Sequence, residues 1–130
     1  MAGLTNYGED LVLDWLFTAG AATRPTVWYV SLYTVSPGEG TAGTEVTGGS
    51  YARVSTSFTV SGTAPTTASN TAAVEFAECT VAWGTVVAAG IMDASTGGNL
   101  IAFANLTTSK AISTGDVLRF NAGEIDITLD

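Results

Sequence analysis

The residues able to do chemistry are few, and the types that are missing narrow the options first. The 130-residue chain has no histidine and a single cysteine, Cys79. A serine or cysteine nucleophile needs an adjacent base, usually an imidazole, so hydrolases of that kind are excluded. Cys79 can close no disulfide within the chain and has no partners for a zinc site, which leaves it as a small core residue. Lys110 lies in Thr-Ser-Lys-Ala-Ile-Ser-Thr, a turn composition in which a solvated lysine is expected. Glycoside hydrolysis needs only two carboxyl groups, and two pairs are close in sequence. Glu75 and Glu78, three apart, point to opposite faces of a continuous strand. Glu124, Asp126, Thr128 and Asp130 share a face opposite Ile125, Ile127 and Leu129, the pattern of a solvated strand face. The functional reading of that acidic row is electrostatic docking, since its spacing matches no EF-type calcium loop.

Two further patterns carry no chemistry. The glycine-rich stretch from Gly38 to Gly49 lacks G-x-x-x-x-G-K-[ST] and opens no helix, so it does not cradle phosphate. Asn105-Leu106-Thr107 fits the glycosylation sequon, but the first ten residues lack the basic and continuous apolar segments of a secretory signal. The sequon is read as a chance match, and the chain as made in a cytoplasm and kept there until assembly. Neither an enzyme nor a cofactor or metal site is expected.

Bulk properties exclude further classes. Net charge is −8, with only Arg24, Arg53, Lys110 and Arg119 as cations, too few to neutralise a run of phosphates, so nucleic acid is not expected as a partner. The longest apolar stretches, residues 11–17 and 86–92, are broken by Asp14 and Gly90 and fall far short of the ~20 residues of a spanning helix; no membrane association is expected. The chain is 46% hydrophobic but only 12% charged, about half the usual charged fraction. Interface cores are depleted in charge in the same way, so the composition leans toward a subunit of something larger.

The elements that must position these residues are mostly strands. Tyr7, Leu11 and Trp15, with Val12 and Leu16, follow a helical period between acidic Glu9 and Asp10 and the terminating Gly20, predicting one amphipathic helix over residues 5–18. Strands are predicted over 27–34, 51–60, 72–78, 80–93, 100–105, 116–121 and 124–129. In the first, Trp28, Val30 and Leu32 share a face opposite Tyr29, Ser31 and Tyr33. In the second, Ala52, Val54, Thr56, Phe58 and Val60 fall together. Residues 35–50 read as a long glycine-rich surface loop, 61–71 as a crossing between sheets, and 95–98 and 121–123 as tight turns. The sum is one domain over residues 1–130: an antiparallel β-sandwich of about seven or eight strands with one N-terminal α-helix.

Several phrases together carry a resemblance. They are Val-Trp-Tyr-Val-Ser-Leu-Tyr-Thr with Pro-Gly-Glu, then Gly-Thr-Glu-Val-Thr-Gly-Gly-Ser-Tyr-Ala-Arg, Val-Ala-Trp-Gly-Thr-Val, Gly-Ile-Met-Asp-Ala, and the closing Ser-Thr-Gly-Asp-Val-Leu-Arg-Phe-Asn-Ala-Gly-Glu-Ile-Asp-Ile-Thr-Leu-Asp. From Tyr7 to Asp130 the chain resembles a family of small virion proteins of tailed bacteriophages, whose members are variously labelled minor tail or fibre-like proteins. Its most recognisable phrase, E-V-x-G-G-x-Y-A-R, is here Glu45 to Arg53, and no chemistry is attached to it. The resemblance implies a non-enzymatic structural protein of the virion. Compactness, acidity and low charge put a decoration (cement) protein on the head surface first, with the major capsid protein and further copies of this chain, as dimer or trimer, for partners. The alternative is a minor tail or tail-fibre-associated protein, although a fibre usually needs a long shaft that this chain lacks. A second alternative is a carbohydrate-binding module in which Trp15, Trp28, Trp83, Tyr29, Tyr33 and Tyr51 form a sugar platform. Candidate protein-contact residues are Glu45, Tyr51, Arg53, Glu124 and Asp126. For Arg53, docking to a partner and an ion pair within its own subunit both stay open.

Overall fold

The computed structural model describes residues 3–20 and 22–129. In chain order they form β1 (Gly3–Leu4), α1 (Asn6–Phe17), β2 (Trp28–Val35), β3 (Thr44–Glu45), β4 (Val54–Thr56), β5 (Phe58–Ser61), β6 (Thr66–Asn70), β7 (Val74–Glu75), β8 (Gly84–Met92), β9 (Leu100–Ile112), β10 (Arg119–Phe120) and β11 (Asp126–Leu129). All pairings are antiparallel. The main sheet runs β1-β9-β8-β2-β3, with β4 also on β2; the opposing layer is made of β11-β6-β5 and the short pair β10-β7. Strand-rich, antiparallel architecture with one helix near the amino end is thus as the alternation predicted.

The strand count exceeds the predicted seven or eight because the chain breaks its strands to change partners. The predicted strand over 51–60 is two: β4 pairs with β2 in the main sheet, Ser57 is exposed, and β5 pairs with β6 in the other layer. Trp28 and Phe58, one from each layer, meet edge to face at 6.4 Å. Residues 61–71 do not cross between sheets. They turn back at once and form β6, the central strand of the second layer, which their Ser, Thr and Ala content concealed. Residues 72–78 and 116–121 keep only two paired residues each as strand, but run on side by side through Phe76 N–H to the Leu118 carbonyl and Cys79 N–H to the Asp116 carbonyl, both 2.9 Å.

β9 continues well past Asn105, where the strand was predicted to stop. Ala88 pairs with Asn105 but Val86 with Lys110, so β9 accommodates three extra residues in a bulge and then resumes its pairing. Lys110 therefore stands in a strand and not in a turn: the polar Thr-Thr-Ser run belongs to the bulge, and pairing to β8 overrides its turn composition.

The core lies between the layers: Val30 and Leu32 of β2, Val86 and Ile91 of β8 and Ile112 of β9 meet Val74, Phe76 and Cys79. β2 is central and buried on both faces, so Ser31 and Tyr33 are as inaccessible as Val30, with the Ser31 hydroxyl 3.2 Å from the Tyr33 oxygen. Cys79 is buried, its thiol 3.0 Å from the Val81 carbonyl.

Helix α1 is capped by Thr5, whose hydroxyl oxygen accepts from the Gly8 N–H and is itself within donating reach of the Leu100 and Ile101 carbonyls. That ties the helix start to the edge of β9. Gly8 is the buried residue of the helix, and a Cβ there would stand 2.5 Å from the Ile101 carbonyl oxygen. The predicted apolar stripe is covered only in its first half: Leu11 and Val12 are half-buried, whereas Trp15 and Leu16 are exposed.

Candidate functional site

The phrase from Glu45 to Arg53 folds into a closed loop whose two ends are clamped together. Gly48, Gly49 and Ser50 take successive left-handed conformations (φ 75°, 57° and 65°), which reverses the chain within three residues. Glycine is required most strictly at Gly49, where a Cβ would lie 2.2 Å from the Val81 carbonyl oxygen and 2.8 Å from the Trp83 ring nitrogen. The reversal brings Tyr51 and Arg53 back over Glu45.

There the Arg53 guanidinium grips the Glu45 carboxylate with two parallel bonds, Nε to Oε1 and Nη2 to Oε2, each 2.7 Å. Planar, two-pronged matching of this kind is the strong geometry for an arginine–carboxylate pair. The remaining prong, Nη1, donates to the carbonyls of Ala94 (2.9 Å) and Gly97 (2.7 Å) in the β8–β9 turn. Tyr51 donates its phenolic hydrogen to Glu45 Oε1 at 2.8 Å and accepts from the Leu32 N–H at 2.9 Å, joining the loop to the central strand. On its other side the loop accepts, at the Gly49 carbonyl, from Trp83 Nε1 (2.9 Å) and the Thr80 N–H (3.1 Å). Beneath it, the Tyr51 ring stacks on Phe76 and meets Trp83 edge on.

The clamp's electrostatics follow from this packing. Burial pushes the Glu45 carboxyl up, but the bonds from Arg53 and Tyr51 and the guanidinium charge outweigh it and hold the group below the usual carboxylate value. The bond to Glu45 raises Arg53 against the opposing effect of burial. Burial pushes the Tyr51 and Tyr33 phenols up, so both stay neutral. At neutral pH the site is a carboxylate and a guanidinium that satisfy one another, with a protonated phenol between them. No unpaired base or nucleophile results.

Of the predicted contact residues, the structure thus brings Glu45, Tyr51 and Arg53 together. The Arg53 side chain is only 8% exposed, and its four hydrogen bonds are all within the chain, the geometry of the intrasubunit ion pair. Sequence reasoning missed Trp83, Gly49 and the Ala94 and Gly97 carbonyls as members of the cluster. The Gly-Gly pair was the available signal for the reversal, whereas backbone carbonyls from a turn forty residues away leave none.

Glu124 and Asp126 lie elsewhere and do not form an acidic row. Glu124 sits in the turn before β11, where its carboxylate accepts from the Asn121 N–H (2.8 Å) and side-chain amide (3.2 Å). Asp126, half-buried on β11, accepts from the Ser69 hydroxyl of β6. Thr128 is half-buried and Leu129 exposed, so the predicted facing is not kept, and Asp130 lies outside the described residues. The cause is pairing to β6, which gives Asp126 and Thr128 neighbours across the ladder. Both acids border an open cleft of about 550 Å³ between β9 and the β10–β11 segment, with Lys110 and Arg119 on its rim and Ile91 and Phe120 in its lining. Arg119 pairs loosely there with Glu75 at 3.3 Å.

The six aromatics considered for a sugar platform form no common exposed face. Trp83 and Tyr33 are buried, Tyr51 is in the clamp against Trp83, Tyr29 is half-buried on β2, Trp28 packs on Phe58, and Trp15 stands on the helix. Among the described residues no group of three His, Cys, Asp or Glu side chains converges as a metal site, and no helix is long and apolar enough to cross a membrane.

No curated protein sequence matches the chain. The family model described as "Podophage GP4 fiber I protein gp80" matches residues 3–128, a span that holds the clamp, both layers and the helix. This protein belongs to that family of small structural proteins of tailed bacteriophages.

Proposed function

We propose that this chain is a non-enzymatic, fibre-type structural subunit of the virion, associated with the tail and not spread as cement over the head. The observation that carries the reading is the family match over residues 3–128, whose description names a podophage fibre protein. The site geometry supports it. In the family phrase, Glu45, Tyr51 and Arg53 saturate one another and lock three segments together, around residues 45–53, 80–83 and 93–97. That is a device for holding loop shape under load and offers a substrate nothing to react with. The decoration reading drew on compactness, acidity and low charge, which a tail-associated subunit shares.

Antibody raised against the folded chain and applied to intact particles tests the placement by electron microscopy. Gold confined to the tail end is the expected result. Label distributed over the capsid surface would restore the decoration reading.

A further inference from the structure

The described residues leave the last turn of helix α1 largely open. Leu13, Trp15, Leu16 and Phe17 are 57%, 62%, 56% and 78% exposed. Leu13, Leu16 and Phe17 together leave roughly 350 Å² of apolar surface open on one side of the helix, whereas Trp15 lies on the Gly8 side and lines a separate hollow with Leu11, Val12, Ala22 and Arg24. Such an area falls within the ~300–600 Å² of the largest patch on a typical soluble monomer, and approaches half of the ~800 Å² that one partner gives to a standard interface. Successive positions 100° apart place Leu13, Leu16 and Phe17 on one face, spaced i, i+3, i+4, and directed away from the Gly8 side that packs on β9. This is the anchor spacing of a helix that lies in a groove.

The charges around the patch identify the chemistry of the groove. Glu9 is exposed on the first turn, Asp10 is exposed on the second, and Asp14 is half-buried on the third; the last turn has no basic residue. Pairing two copies of this helix face would bring six carboxylates together on subunits of net charge −8, with no cation on either helix; Arg24, beside the helix, lies on its other side with Leu11, Val12 and Trp15. A second copy is thereby disfavoured. An apolar groove flanked by lysine or arginine matches both features.

We infer that the outward face of α1 is the docking element by which this subunit attaches to a different virion protein, through an apolar groove with a basic rim. The inference rests on the fibre-subunit reading for the setting, and adds the surface and the partner's chemistry. Leu16 and Phe17 are the anchors, and Glu9 and Asp10 set orientation and partner choice. Because the anchors are exposed in the isolated chain, replacing them leaves its own fold intact.

The test uses whole particles carrying the full chain with photoreactive benzoylphenylalanine in place of Phe17, and, as a control, in place of Val60, which is 66% exposed on β5. Irradiation is followed by immunoblot and peptide mapping. The expected result is a crosslink from position 17, absent from position 60, to another virion protein at an apolar segment flanked by Lys or Arg. Leu16→Ser with Phe17→Ser should also lower the chain's occupancy on particles roughly tenfold or more without changing its melting temperature. A crosslink to a second copy of this chain, or none from chain that is present on the particles, would overturn the docking helix alone. Absence of the chain from purified particles would overturn the fibre reading and the docking helix together.

Discussion

At the scale of single residues, Arg53 makes four side-chain hydrogen bonds, to Glu45, Ala94 and Gly97, and its removal tests what the family phrase is for. Arg53→Ala leaves the partly buried Glu45 carboxylate without its counter-ion and frees the Ala94 and Gly97 carbonyls. The expected loss is about 2–3 kcal/mol, toward the lower end for a broken buried pair because Glu45 is partly open to water. Arg53→Lys should recover little of it, since an ammonium cannot hold a carboxylate in a fork while reaching two carbonyls. Urea melts of the three proteins read this directly, and an unchanged midpoint for Arg53→Ala would return Arg53 to the list of partner contacts. Glu45 adds a pH signature. Its folded value lies below its ordinary value of 4.5, so the carboxylate contributes stability that is fully present above the unfolded value and is lost as pH falls through the folded one. The melting-temperature gap between the native chain and Glu45→Gln should hold steady at neutral pH and close progressively as pH is lowered below 4.5. A gap independent of pH would contradict the clamp's electrostatics.

At the scale of elements, glycines at close approaches separate packing from propensity. Gly8→Ala improves helix propensity by about 1 kcal/mol, yet its Cβ would collide with the Ile101 carbonyl oxygen, so the net expectation is a loss of about 1–3 kcal/mol as α1 lifts from β9. Gly49→Ala meets both a backbone oxygen and a left-handed φ and should cost more than about 2 kcal/mol. Gly48→Ala has open space around it and should cost only about 1 kcal/mol. Equal effects at the two positions, in the same melts, would mean that the reversal is not packed as described. These elements also mark what sequence reading reaches. Local patterns located α1 and the cores of β2 and β8, because a helical period and β-branched alternation are written in adjacent residues. The break at Ser57, the strand of Thr, Ala and Ser at β6 and the bulge in β9 depend on which strand lies alongside, and no local pattern carries that. The same division runs through the site: Glu45, Tyr51 and Arg53 stood out together because they fall in the phrase that carries the family resemblance, but the Arg53 bonds to the β8–β9 turn and the dispersal of Glu124 and Asp126 are products of long-range pairing.

At the scale of the whole molecule, a tightly cross-braced two-layer body carries an uncovered helical end, and the two halves suit different tasks. The body resists deformation, through a clamp that joins three loops and a core shared by both layers. The helix end offers apolar surface that becomes stable only on assembly, which is how a subunit favours its place in a particle over the free state. An acidic body also limits indiscriminate association with its own copies before assembly. The family match and this division of labour support the proposal of a fibre-type subunit. The most direct test is quantitative mass spectrometry of purified particles separated into DNA-filled heads and detached tails, counting this chain against a structural protein of each fraction. The expected result is a small, fixed number of copies that follows the tail fraction; copies comparable in number to the shell's own subunits, and retained on heads after tails are removed, would contradict it.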